Sequence, residues 1–196
     1  MMCKLCNAFN DPGLSDQIEN TVLLKTPNFK VIPALGPIEV GHVLIVSNNH
    51  FDNLLNMRTE QVIEYQKVTE YLKSLCKGIE LVEAEHGSNL NNKSATCIIH
   101  THINLIPLKV DCFSEFDRLL NVRYDKGDIS NYSGEKSYIY LNSKSNFRLY
   151  DSFNLPSQFI RRVLADILNF EAWDWRENPN YKTIEKTIDF WQERNI

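Results

Sequence analysis

In CIIHTHINLIPL, residues 97–108, two imidazoles and an amide occupy every second position, at His100, His102 and Asn104. Side chains of a strand alternate between its faces, so these three share one face while Ile99, Thr101, Ile103 and Leu105 share the other. The apolar set suits a buried surface and the polar set suits chemistry. Neutral imidazole is a nucleophile near pH 7 and a common metal ligand. Alone, a His-x-His pair serves equally well as two hydrogen-bonded histidines at a sheet surface, so the surroundings must decide. Near the N-terminus, Cys3 and Cys6 have the spacing that lets two thiolates bind one tetrahedral metal, zinc being the natural candidate, although a redox pair reads the same way. No second Cys-x-x-Cys exists, so a metal would draw its other ligands from His42, His50, His86, His100 and His102.

The elements that position these residues follow from periodicity. TVLLKT, NFKVIPAL and VLIVSN, the last two joined by GPIEVGH, predict an antiparallel meander, with NAFNDPGLSD before them forming turns. From Thr59 to Cys76 the apolar residues Val62, Tyr65, Val68, Leu72 and Leu75 recur at helical spacing, with Thr59 as N-cap. IELVEAEHG returns to strand, SNLNNK is a polar loop, and SATCIIHTHINLIPL is the histidine strand. A short helix is expected over 112–120, a closing hairpin from SYIYLNS and FRLYDSF, and two helices from PSQFIRRVLADILNF and YKTIEKTIDFWQERN. The organisation expected is α+β: a domain over 1–150 with a helical extension over 151–196 docked on it.

Bulk properties narrow the function classes. The 196 residues carry 21 Lys and Arg against 25 Asp and Glu, a net charge of -4 that gives no pull toward phosphate backbones, so nucleic acid is a poor partner. No apolar run approaches the roughly 20 residues of a membrane span, and MMCKLCNAFN lacks the apolar region of a secretory signal, which makes a cytoplasmic location the expectation. Five cysteines, an odd number, suit reduced thiols or metal ligands better than a disulfide framework.

Taken together, CKLC, then NFKVIPALGPIEVGHVLIVSNNHFDNL, then EHGS, then SATCIIHTHINLIPL resemble the histidine triad superfamily over roughly residues 3–108. LPSQFIRRVLADIL and WDWRENP are similar to the C-terminal extension of some bacterial members. The resemblance implies an antiparallel sheet with flanking helices, a nucleotide or dinucleotide substrate, and a homodimer. It makes His102 the nucleophile toward the α-phosphorus and assigns structural zinc to Cys3, Cys6, His50 and His100 in a site closed to water. Ser94 and Thr96 then contact the substrate phosphate and leaving oxygen.

Two positions depart from that pattern. Asn104 stands where the hydrolases carry histidine and the transferases or phosphorylases carry glutamine. An amide can bond a phosphate oxygen but cannot deliver a proton as imidazolium does, which leans toward transfer. Ala34 stands where many relatives place the acid that accepts the ribose hydroxyls, leaving Glu39 or Glu85 as the substitute substrate-binding carboxylate. His42 reads as a buried structural histidine, and His86 as a turn residue more than a pocket one. Trp173–Arg176 reads mainly as core packing, and Arg161 and Arg162 as part of a solvated helix face. The leading reading is an enzyme that hydrolyses or transfers a nucleotidyl group through a covalent histidine intermediate. Its rivals are a phosphorylase-like transferase and a catalytically inactive, zinc-stabilised nucleotide-binding module.

Overall fold

The computed structural model describes residues 3–88, 98–132, 137–152 and 154–196. In chain order these form helices α1 (Lys4–Asn10) and α2 (Pro12–Ser15), strands β1 (Leu24–Lys25), β2 (Phe29–Pro33) and β3 (Val43–Ser47), helix α3 (Thr59–Leu75), and strands β4 (Glu80–Gly87) and β5 (His102–Leu108). Helix α4 (Phe113–Leu119), strands β6 (Val122–Tyr124), β7 (Tyr138–Asn142) and β8 (Phe147–Asp151), and helices α5 (Phe159–Leu168) and α6 (Tyr181–Gln192) complete the chain. The eight strands make one sheet in the order β1-β2-β3-β5-β4-β7-β8-β6. Every pairing is antiparallel. The class is α+β, as the alternation of apolar residues in short segments predicts.

Strand parity divides the core in two. On one face Ile103 and Leu105 of β5 and Tyr138 and Tyr140 of β7 meet Tyr65, Val68 and Leu72 of α3. On the other, Ile106, Leu108, Val82 and Ala84 meet Phe113 and Phe116 of α4 and Ile160, Val163 and Leu164 of α5. A smaller cluster on that second face joins Leu5 of α1 to Ile32 and Val46. His102 and Asn104 have the parity of Ile106, so they open onto the face covered by α1, α4 and α5.

Several local expectations are corrected. Residues 7–16 form parts of α1 and α2 instead of turns alone, because burial of Leu5 outweighs the weak helix propensity of the Asn-rich segment. The N-cap of α3 is Arg58, and Thr59 is already helical. Gln61 reaches back to accept from the Arg58 amide at 3.1 Å, the return half of a capping box. Strand β5 begins only at His102, since the Thr101 amide donates to Phe51 O at 2.7 Å. Strand β1 is two residues long.

The C-terminal segment is fastened to the turn between β2 and β3. The Gly36 amide donates to Pro179 O at 2.8 Å, and Arg161 Nη2 donates to the Gly36 carbonyl. Gly41 N donates to Thr187 Oγ1 at 3.1 Å, and Trp191 Nε1 donates to Gly41 O at 3.0 Å. Gly36 has φ +61, and a Cβ there would lie 2.7 Å from Asn178 O and 3.0 Å from Trp175 Cβ. Only glycine lets the two segments approach this closely without displacement. Arg161, expected on a solvated face, is 8% exposed, because it spans from α5 to the Gly36 and Trp173 carbonyls. Among the described residues no helix is long and apolar enough to cross a membrane.

Candidate active site and metal centre

The strand pair β3 and β5 sets up the first group of residues. Leu44 lies opposite Asn104 and Val46 opposite His102, which puts His42, Asn104 and His102 on one face. The ring nitrogen Nδ1 of His102 is 2.6 Å from the carbonyl oxygen of His100. A carbonyl only accepts, so Nδ1 carries the proton and Nε2 keeps its lone pair. Burial lowers the His102 pKa below the usual imidazole range, and the bond to the His100 carbonyl opposes that shift.

The same logic assigns the next residue inward. His42 Nδ1 accepts from the Ile38 amide at 3.2 Å, so Nε2 holds the proton and donates to Asn104 Oδ1 at 3.1 Å. Asn104 Nδ2 donates to Ala84 O at 3.1 Å. The amide is thereby held in one orientation, with one Nδ2 hydrogen remaining for a ligand. Burial is the main cause holding His42 neutral, at a pKa of about 3, reinforced by the Arg161 guanidinium. His42 is thus more than a core residue; its parity with Leu44 and Val46 was the available signal. His86, of the same parity as Ala84 in β4, also faces this region, and burial takes its pKa to about 4.

His86, His102 and Asn104 line a cavity of about 420 Å3, within the roughly 300–1,000 Å3 typical of small-molecule sites. Its apolar walls include Ile32, Leu44 and Ile98 from the sheet side and Phe159 and Ile160 from α5. Lys4 and Asn7 of α1 and Trp175 of the C-terminal segment border it as well. Trp175 is therefore a cavity residue, whereas Trp173 is partly exposed with Arg162 lying 4.4 Å from its ring centroid. Ala34 lines the cavity, but Glu39 is exposed and does not.

Glu85 requires a correction. Its parity in β4 is that of Glu83, so it points beneath α3, where it accepts from the Leu54 amide at 3.1 Å and from the Tyr138 hydroxyl. It is 2% exposed on the opposite face from His102 and cannot reach a ligand in the cavity. Burial raises its pKa to about 7. Among the described residues the carboxylate that lines the cavity is Glu19, beside Asn20 in the turn after α2, a place no strand pattern could indicate. Ser94 and Thr96 lie outside the described residues.

The second group lies at the N-terminal end of β5. Ligand atoms of Cys3, Cys6, His50 and His100 fall within 4.8 Å of one another, a cluster that could hold a metal ion. His100 Nδ1 is 3.4 Å from Cys3 Sγ and 3.5 Å from Cys6 Sγ, and His50 Nδ1 is 3.5 Å from Cys6 Sγ. His100 Nε2 donates to Ser47 O at 2.9 Å, which leaves Nδ1 as the lone-pair nitrogen facing the sulfurs. Asp52 stands 3.6 Å from His50 Nε2. The cluster is not sealed from water: His50 is 42% exposed, because it sits in the loop leaving β3. Cys76 and Cys112 are buried free thiols elsewhere.

No model of a protein family matches the chain, and neither does any curated protein. Solved structures do match. A hypothetical histidine triad nucleotide-binding protein from Sulfolobus tokodaii strain 7 is 21% identical over 56% of this chain and 71% of that one, with a TM-score of 0.39. A HIT family hydrolase from Clostridium thermocellum is 18% identical over 56% of this chain and 91% of its own, with a TM-score of 0.41. Yeast Ap4A phosphorylase Apa2 in complex with Ap4A is 12% identical over 93% of this chain and 81% of its own, with a TM-score of 0.47.

Proposed function

We propose that this chain is a histidine triad enzyme that breaks a nucleotide phosphoanhydride through a covalent bond between His102 and phosphorus. The observation that carries this reading is the 2.6 Å bond from His102 Nδ1 to the His100 carbonyl, made beside a cavity of ligand size. With Nδ1 so engaged, Nε2 keeps the lone pair and is the nucleophile in this reading. In the first step the Nε2 lone pair forms the N–P bond while the P–O bond to the leaving group breaks and its electron pair departs on oxygen. The ring then carries positive charge, shared with Nδ1–H, and the His100 carbonyl accepts more strongly from it. In the second step an acceptor oxygen forms the new P–O bond and the N–P electron pair returns to Nε2.

The leaving group and acceptor follow from the neighbours. Asn104 has one N–H to offer a phosphate oxygen and no proton to transfer. His42 and His86, with pKa values of about 3 and about 4, are neutral at pH 7. This favours leaving groups stable as anions, such as polyphosphate, and acceptors already ionised, such as phosphate or a sugar phosphate. Transfer or phosphorolysis is accordingly preferred to hydrolysis. Ala34 offers a ribose no acceptor, and Glu19 is the carboxylate among the described lining residues that can take that part.

Cys3, Cys6, His50 and His100 suit zinc. Bonds of about 2.3 Å to sulfur and about 2.0–2.1 Å to nitrogen in a tetrahedron separate S from N by about 3.6 Å, against 3.4–3.5 Å for the pairs described here. A bound zinc would supply structural cross-linking, and His100 would hold the strand that presents His102. Residues 1–150 form the catalytic domain in this reading, and 151–196 an extension that walls the cavity.

One observation favours a second reading, a nucleotide-binding module without catalysis: Asn104 Oδ1 and one Nδ2 hydrogen are engaged by His42 and Ala84, leaving a single N–H that can hold a phosphate but no proton to give a leaving group. Intact-protein mass spectrometry after brief mixing with dinucleoside polyphosphates or nucleoside phosphoramidates separates the two. The enzyme gives an acid-labile nucleotidyl adduct that disappears in His102→Ala. Absence of adduct and turnover with every nucleotide overturns the enzyme in favour of the module.

A further inference from the structure

Helix α1 belongs to both sites at once. It is seven residues long with no side-chain N-cap bond, too short to be stable by itself. Leu5 anchors it apolarly against Ile32 and Val46. Phe9 packs against the same cluster with the Lys30 ammonium 3.6 Å from its ring centroid, and at its start the helix is held by the ligand cluster, where Cys3 and Cys6 meet His50 and His100 of the sheet side. The residues between and after those thiols, Lys4, Leu5, Asn7 and Ala8, line the cavity. At the cavity border the Lys4 ammonium lies 5.2 Å from the centroid of Trp175. Among the described residues the other cation of the lining is Arg161, which donates to the Trp173 and Gly36 carbonyls. In a chain of net charge -4, Lys4 is thus well placed to attract an anion.

We propose that α1 is a ligand-gripping wall whose position is set by the metal cluster, with Lys4 and Asn7 contacting an anionic nucleotide, so that metal and nucleotide bind with positive coupling. The inference rests on the reading above that the cavity takes a nucleotide. Coupling between two sites is reciprocal in binding free energy: the factor by which metal strengthens nucleotide binding equals the factor by which nucleotide strengthens metal binding.

The test is calorimetric titration of AMP into zinc-loaded protein and into the same protein stripped by a chelator under reducing conditions. Stripping is expected to weaken AMP binding by about tenfold or more, with hydrogen exchange speeding up within α1 and α2 and the sheet unchanged. Saturating AMP is expected to tighten zinc, read by competition with a chromophoric chelator, by the same factor. Lys4→Ala, which leaves the ligand cluster intact, is expected to weaken AMP while retaining zinc, and it tests the grip even should the stripped protein unfold; slower zinc loss to the chelator in the presence of AMP then tests the coupling. Equal AMP affinity with and without zinc overturns the coupling, and wild-type affinity in Lys4→Ala together with Asn7→Ala overturns the grip; both leave the proposed function standing. Failure of zinc-loaded wild type to bind AMP or any other nucleotide overturns the proposed function and this inference with it.

Discussion

The Nε2 of His42 lies 3.1 Å from the Oδ1 of Asn104, and the Ile38 amide on the far side of the ring fixes which nitrogen carries the proton. A fully buried imidazole is therefore the device that aims the amide two residues along the strand from His102. Replacing it strands two partners, Ile38 N–H and Asn104 Oδ1, each at a cost of about 1–3 kcal/mol. His42→Ala should lower the urea midpoint accordingly and slow adduct formation at His102. A variant with unchanged stability and unchanged adduct rate would contradict the arrangement.

Glu85 gives a pH signature. Its folded pKa, about 7, is raised by burial above the ordinary 4.5, so the native state binds more protons than the unfolded chain between those values. The stability this contributes is fully present below about pH 4.5 and is lost as pH rises through 7. His42 and His86, whose pKa values are depressed, act oppositely, losing stability as pH falls below 6.5. A difference measurement isolates the carboxyl. Glu85→Gln should gain on wild type progressively from pH 4.5 to 7, by no more than about 3 kcal/mol, and then hold level. A pH-independent difference in denaturation midpoints would refute this.

Elemental analysis should find about one zinc per chain, lost when Cys3→Ser and Cys6→Ser are combined. Because His50 is 42% exposed, a strong chelator should remove the metal from folded protein within a practical incubation. A folded preparation with far less than one metal per chain would sink the assignment.

Gly36→Ala puts a Cβ at 2.7 Å from the Asn178 carbonyl at φ +61. Gly78 is the control, with φ +79 and nothing within 4 Å. Gly78→Ala should cost only the left-handed penalty of about 1–2 kcal/mol. Gly36→Ala should cost more and expose the segment after Asp151 to limited proteolysis. Equal costs in the two variants would show that the C-terminal segment is not held at this contact.

Much of this was legible in the sequence wherever one local period governs. The alternation from His102 through Asn104 to Leu108, and the helical spacing from Val62 to Leu72, survive in the structure because each buries one face along one element, whereas His100 falls outside the strand. What lay beyond reach depends on contacts between distant segments. Glu85 reads as a ligand-facing carboxylate from the sequence because parity within a strand does not say which face meets the cavity. The α1 helix escapes propensity, since burial of Leu5 and the Cys3 and Cys6 positions hold it from outside. Arg161 repeats with Leu164, Ala165 and Leu168 at helical spacing, so its burial could have been read, but its carbonyl partners could not.

The cavity is bordered by Lys4 near the start of the chain and Trp175 near its end. A polypeptide lacking α5 and the stretch around Trp175 would keep His102 on its strand but lose the Phe159, Ile160 and Trp175 side of the chamber, so enclosure is a property of segments far from that strand in sequence.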